Sequence, residues 1–174
     1  MKKINPEYPQ FYTATILQWK RLLKPEKYKL QIINSLQYVS KKYKVRIYAF
    51  VIMSNHIHII WQLDYDTNVG DFLRNFMKYT AQMILKDLRV NHKSILGNFR
   101  VGSSDRNYQI WERNSLSIEL RNDLVFKQKF NYIHNNPVKA GLCELPNEYK
   151  FSSARFYETG IDEWGFLVHY QDKI

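Results

Sequence analysis

Apolar positions along the 174-residue chain recur with two periods, and the switches between them mark out the elements. In residues 8–19, Phe11, Thr13, Thr15 and Leu17 alternate with Tyr12, Ala14, Ile16 and Gln18, and the segment is rich in β-branched and aromatic side chains, which predicts a strand. Pro25 then opens a helix, because Ile32 or Ile33, Leu36, Val39 and Tyr43 return at helical spacing while lysines decorate its ends and outer face. Residues 45–53 form an apolar run, interrupted only by Arg46, that suits a strand buried on both faces; Ser54-Asn55 is a turn pair, and residues 56–63 read as a second strand, so the two should form a hairpin. Asn68 or a neighbour is expected to cap a second long helix. Its Val69, Phe72, Leu73, Phe76, Thr80, Met83 and Ile84 face the core, and Arg74, Lys78, Gln82 and Lys86 fall four apart as a mostly basic outer stripe.

Beyond this the pattern weakens. Residues 91–106 hold two glycines, three serines and two asparagines without periodicity and read as a long mobile loop. Residues 108–112 predict a fourth strand, and residues 117–135 a third helix that ends before Pro137, since proline pushes the preceding residue out of the α region. Asn135-Asn136-Pro137 can also cap a short following helix with Gly141 just past its end. The order β-α-β-β-α-β with a C-terminal helical addition is that of an α+β, ferredoxin-like sandwich, an antiparallel sheet with helices packed on one face. No repeat, low-complexity tract or linker interrupts it, so a single domain is expected over residues 1–174, with a core at about 8–157 and a tail, 158–174, to which no role is assigned.

Charge changes this picture. Lys and Arg number 26 against 16 Asp and Glu, a formal net charge of +10, which points to a polyanionic partner. Residues 1–48 carry eleven basic and two acidic side chains, whereas residues 111–174 carry eight and nine. Aromatic residues make up 16% of the chain, which suits stacking on unpaired bases and equally suits an aromatic core beneath solubilising lysines. The single cysteine, Cys143, excludes an intrachain disulfide and fits a reducing compartment. The longest apolar stretch, residues 47–53, is far below the ~18–20 residues of a membrane span. A cytoplasmic protein without a membrane partner is expected.

Two short motifs could carry chemistry. In His56-Ile57-His58, side chains at i and i+2 of a strand project from one face about 7 Å apart along the backbone, close enough to share a divalent ion, although two ligands leave a site incomplete. Tyr132 and Asn136 lie one helical turn apart on a common face. The plainer readings are a packed tyrosine with its hydroxyl in water and an asparagine that caps before Pro137. Lys24, Lys27, Lys41, Lys42, Lys44, Arg74, Lys78 and Lys86 are candidates for contacts to a nucleic-acid backbone, or simply a solvated face.

Three linked segments resemble one family. Tyr48-Ala49-Phe50-Val51-Ile52-Met53-Ser54-Asn55-His56-Ile57-His58-Ile59-Ile60-Trp61, then Asn131 to Leu142, then Tyr149-Lys150-Phe151-Ser152-Ser153-Ala154 are similar in order and spacing to the REP-associated tyrosine transposases. These form a branch of the HUH superfamily with a histidine–hydrophobe–histidine motif and one nucleophilic tyrosine. The resemblance covers about residues 8–157. It implies that His56 and His58 are the metal-binding pair, that Tyr132 is the nucleophile, and that Asn136 is the polar residue completing a site for Mg²⁺ or Mn²⁺. It further implies a transposase that binds single-stranded or hairpin DNA and cleaves and rejoins it through a 5′-phosphotyrosine link, as a monomer or a homodimer. A non-catalytic nucleic-acid-binding module of the same shape and a replication-type HUH nickase are the alternatives.

Overall fold

A computed structural model describes residues 7–63 and 69–172. The elements follow as β1 (Gln10–Thr15), α1 (Glu26–Lys42), β2 (Val45–Ile52), β3 (His56–Leu63), α2 (Val69–Asn91), α3 (Lys93–Gly97), β4 (Arg100–Ser103), β5 (Arg106–Tyr108), β6 (Leu116–Glu119), α4 (Asp123–Lys139) and α5 (Ala154–Thr159). The four-stranded sheet is antiparallel in the order β2-β3-β1-β6, and β4-β5 form a separate hairpin. This is the expected ferredoxin-like strand order, with β6 as its last strand, but helices pack on both faces of the sheet and not on one: α1 and α2 cover one face, and α4 beds on the other.

Alternation along β1 and β3 divides the core in two. Tyr12 and Ala14 of β1, and Ile16 just after it, with Ile57, Ile59 and Trp61 of β3 face α1 and α2, where Ile32, Leu36, Phe72, Phe76 and Ile84 meet them. Phe11 and Ile60 face the other way and join Tyr48, Ala49 and Val51 of β2 beneath Phe126 and Ile133 of α4. β2 is buried on both faces, as its apolar run predicts, and its pairing with β3 shifts register between Ile47 and Ala49. Each of these large side chains contributes about 1.5–3 kcal/mol when removed from water. Asn68, the expected cap of α2, and the side chain of Val69 lie outside the described residues.

The structure corrects four further readings. Residues 91–106 are not one loop: α3 and the β4-β5 hairpin occupy them, anchored by the buried Leu96 and Phe99. Elements this short give no periodicity to read. Residues 108–112 are not the fourth strand of the sheet. Tyr108 ends β5, and only Trp111 bridges to Ile16, its indole N–H donating to Thr80 Oγ1 at 3.1 Å. The fourth strand is β6, so residues 116–119 are strand and not helix. Finally, α4 does not stop before Pro137 but runs through it to Lys139. Inside a helix proline forfeits its N–H bond and crowds the carbonyl one turn back, here that of Ile133, and Pro137 is accommodated two residues from the helix end with its ring buried. Gly141, at φ 67°, then ends the helix: its N–H and that of Leu142 bond to the carbonyls of Val138 and Pro137 at 2.9 and 3.0 Å.

The C-terminal residues close the exposed edge of β2. Ile52 N–H donates to the Phe151 carbonyl at 2.9 Å, Ser153 N–H to that of Phe50 at 3.0 Å and Val168 N–H to that of Ile47 at 3.0 Å. Phe166 is buried 5.5 Å from the ring of Phe50, and Trp164 stacks on Phe151 at 6.1 Å. The edge is thereby paired and unavailable to another chain.

Candidate active site

β3 presents His56 and His58 on the sheet face that α4 partly covers, with ring centroids 4.7 Å apart. Register holds them there. Thr13 of β1 sits directly opposite His58, and its Oγ1 lies 2.7 Å from His58 Nδ1. Phe11, two residues back on the same strand face, stacks on the His58 ring at 5.3 Å. Burial, with smaller contributions from His56 and Lys129, pushes the His58 imidazole down to about 3, so it is neutral at physiological pH. Burial also lowers His56, while a hydrogen bond to Asn136 acts in the opposite direction. His56 Nδ1 lies 2.8 Å from Asn55 Oδ1.

α4 brings the second motif to the same place. Phe126, Ile133 and Pro137 bury its inner side, and this rotation sets the Tyr132 ring 5.1 Å from His58 and 6.2 Å from Phe11. Tyr132 remains 39% exposed, so it is not sealed into the core. One turn later Asn136 reaches His56. The structure thus brings together all four side chains that sequence assigned to the chemistry. His134, by contrast, faces away: it is buried, with Nε2 2.7 Å from Ser153 Oγ, and burial lowers it to about 4.

The residues fit a divalent cation in one specific respect. His58 Nε2 is buried without a hydrogen-bond partner. An unmet buried polar atom costs about 1–3 kcal/mol, and here the tautomer with Nδ1–H donating to Thr13 would leave a lone pair on Nε2. Among the described residues no three His, Cys, Asp or Glu side chains cluster as ligands. A cation would therefore be held by two imidazoles and an amide, with its remaining positions open to oxygen atoms of a substrate or water.

The eight cations proposed for backbone contact are not at this site, because α1 and α2 cover the opposite face of the sheet. Lys42 and Lys78 line a groove of about 600 Å³ between those helices, beside the exposed Tyr38 and Tyr79. Lys27 is engaged by Asp87 at 2.6 Å, and Lys24 lines a separate cleft. Lys41, Lys44, Arg74 and Lys86 are exposed. Sequence reasoning passed over two other lysines: Lys129 and Lys139 place their ammonium groups 5.8 and 5.9 Å from the centre of the Tyr132 ring. Their positions three before and seven after Tyr132 put them on its helix face, a signal that was present in the sequence. Thr13 left no such signal, since only strand register reveals its partner.

Comparison with known proteins gives three findings. A model of the family described as IS200-like transposase matches residues 15–104. An uncharacterized protein of Haemophilus influenzae is 30% identical over 105 residues, which cover 55% of this chain and 56% of that relative's length. A solved structure of a REP-associated tyrosine transposase bound to a REP hairpin aligns with a TM-score of 0.66 at 20% identity, covering 99% of this chain and 93% of that one. The last establishes the shared fold. Among the described residues no helix is long and apolar enough to cross a membrane.

Proposed function

The chain belongs to the IS200-like transposase family, and from that premise we propose that it is a metal-dependent enzyme that cuts and rejoins single-stranded DNA, with Tyr132 as nucleophile. The observation carrying this reading is the convergence of Tyr132, His58, His56 and Asn136, from a strand and a helix remote in sequence, on one partly exposed patch. A packed tyrosine and a surface histidine pair have no reason to meet. The structurally similar transposase is bound to a REP hairpin, and a hairpin with an unpaired flank is the substrate class assigned here. One domain over residues 1–174 is sufficient for the reaction proposed.

In this mechanism the tyrosyl oxygen attacks the scissile phosphorus as the bond to the 3′-oxygen breaks. The phenol proton is lost, the departing 3′-oxygen gains one, and a 5′-phosphotyrosine link forms. Because phenol is a better leaving group than a deoxyribose hydroxyl, a second 3′-end can reverse the step without ATP. His56, His58 and Asn136 would hold Mg²⁺ or Mn²⁺, which when bound polarises the phosphate and offsets its growing charge. Thr13 orients the His58 ring by holding its Nδ1, which leaves Nε2 to face a cation. Lys129 and Lys139 draw the phosphate onto the ring they flank.

The test uses a panel of hairpin oligonucleotides labelled at the 3′ end, incubated with the protein and Mn²⁺. A labelled band that survives denaturing electrophoresis and maps to the peptide containing Tyr132, and that is lost in Tyr132→Phe with fold and DNA binding intact, is the expected result. Cutting without an adduct would replace the transposase reading with a hydrolytic nuclease. Binding without cutting would favour the non-catalytic module.

A further inference from the structure

The turn between β1 and α1 holds its backbone in an unusual state. Gln18 and Trp19 are consecutive non-glycine residues in the left-handed region, at φ 56° and 57°, a conformation unfavourable for any residue with a Cβ. Surrounding segments hold it in place. Gln18 N–H donates to Glu112 Oε1 at 2.7 Å, Asn55 Nδ2 donates to the Trp19 carbonyl at 3.3 Å, and Lys20 Nζ reaches both Gln18 Oε1 at 2.7 Å and the carbonyl of Asn98. What this achieves is to lift an indole into solvent. Trp19 is 61% exposed, whereas Trp61 and Trp111 are buried. Its ring stands edge-on to His56 with centroids 5.9 Å apart, at the rim of the candidate active site. The amide that holds the Trp19 carbonyl belongs to the same Asn55 whose Oδ1 meets His56, so the platform and the imidazole share one support.

Just beyond this turn, a cleft of about 550 Å³ is lined by Lys20, Arg21, Lys24, Lys27 and His92 over the buried Phe99; Asp87 pairs with Lys27 at 2.6 Å and lies 3.8 Å from His92, so the cationic character of the cleft rests on Lys20, Arg21 and Lys24. An aromatic face beside a reaction centre, followed by a cationic, partly apolar groove, is the arrangement that proteins use to carry a single strand: bases stack and phosphates follow the charge.

Resting on the reading of Tyr132 and its neighbours as a strand-cutting site, we infer that Trp19 is the stacking platform for an unpaired base adjoining the scissile phosphate, and that the Lys20–Lys24 cleft carries the strand onward. Most of the cations assigned from sequence to DNA contact lie elsewhere, so this path gives the unpaired flank a binding site of its own. Stacking tolerates any base, which makes the contact one of position and grip more than of sequence.

Two measurements test this separately from cleavage. In the Tyr132→Phe background, acrylamide quenching of tryptophan emission should fall when a mixed-sequence single-stranded oligonucleotide binds, and Trp19→Ala should remove that quenchable component. With a hairpin bearing an unpaired flank, Trp19→Ala should weaken binding about tenfold, Trp19→Phe less than threefold, and neither should alter binding of the same hairpin with its flank trimmed away. DNA that binds Trp19→Ala as well as wild type, or that leaves Trp19 as quenchable as in the free protein, overturns the inference. Shielding and flank-dependent loss in a protein that never cuts DNA would uphold the platform while removing the nucleophile assignment. Normal cutting and flank binding by Trp19→Ala would do the reverse.

Discussion

The ring of Tyr132 stands 5.1 Å from that of His58, inclined at 66°, and each residue is held by a different part of the fold. His58 is fixed by the pairing of β3 with β1, where Thr13 faces it and Phe11 stacks on it. Tyr132 is fixed by the rotation of α4, whose Phe126 and Ile133 lie in the second core. The separation between the proposed nucleophile and the proposed cation ligands is therefore set by how α4 beds on the sheet, and the assignments can be perturbed one at a time.

Replacing His56 and His58 together by alanine should abolish Mn²⁺ binding in calorimetry while leaving most DNA affinity, because phosphate contacts supply most of that affinity. Thr13→Val keeps the shape of the side chain but removes the oxygen at His58 Nδ1. It should weaken Mn²⁺ binding by about tenfold or more. Equal Mn²⁺ affinity in wild type and the double alanine variant would remove the metal assignment.

Lys129→Ala and Lys139→Ala should each lower DNA affinity and flatten the slope of log K against log salt by about 1, the signature of one lost phosphate contact. Lys27→Ala is the contrasting case, because Asp87 already engages that ammonium at 2.6 Å. Its salt slope should stay near the wild-type value. Identical slopes for all three variants would place the backbone contacts elsewhere.

His134 should make stability pH-dependent in metal-free protein. Burial lowers its folded-state value from 6.5 to about 4, so between those values the unfolded chain binds a proton that the folded chain excludes. The contribution is therefore fully present above pH 6.5 and is lost as pH falls towards 4, at most on the order of 3 kcal/mol. His134→Gln should show a shallower fall in unfolding temperature across that window than wild type. Parallel profiles would mean that the other buried histidine, His58, dominates.

Gly141→Ala should destabilise the protein by about 1 kcal/mol through its left-handed backbone alone, since at φ 67° a Cβ would meet no atom within 4 Å. Denaturant unfolding at constant m-value would measure this, with Tyr132-dependent chemistry unaffected. A neutral substitution would show that the end of α4 adjusts without cost.

Much of the fold and most of the candidate site could be read from the residues in order. The α1, β2 and β3 spans follow from their apolar periods, and the two motifs follow from i, i+2 on a strand and i, i+4 on a helix. These are local relations, fixed by backbone geometry whatever the rest of the chain does. Reading failed where an element is too short to show a period, as in α3 and the β4-β5 hairpin, or where tertiary packing overrides a local preference, as when α4 runs through Pro137. It also failed for relations that no local rule contains. Thr13 serves His58 because of strand register, Trp19 reaches the site because a turn is held left-handed by Glu112 and Asn55, and most of the expected DNA-contacting cations face away because α1 and α2 pack on the other side of the sheet. Sequence by itself determined which side chains could react; only the packing of α4 against the sheet decided that Tyr132 and the histidines meet, since that distance is set by contacts between residues far apart in the chain.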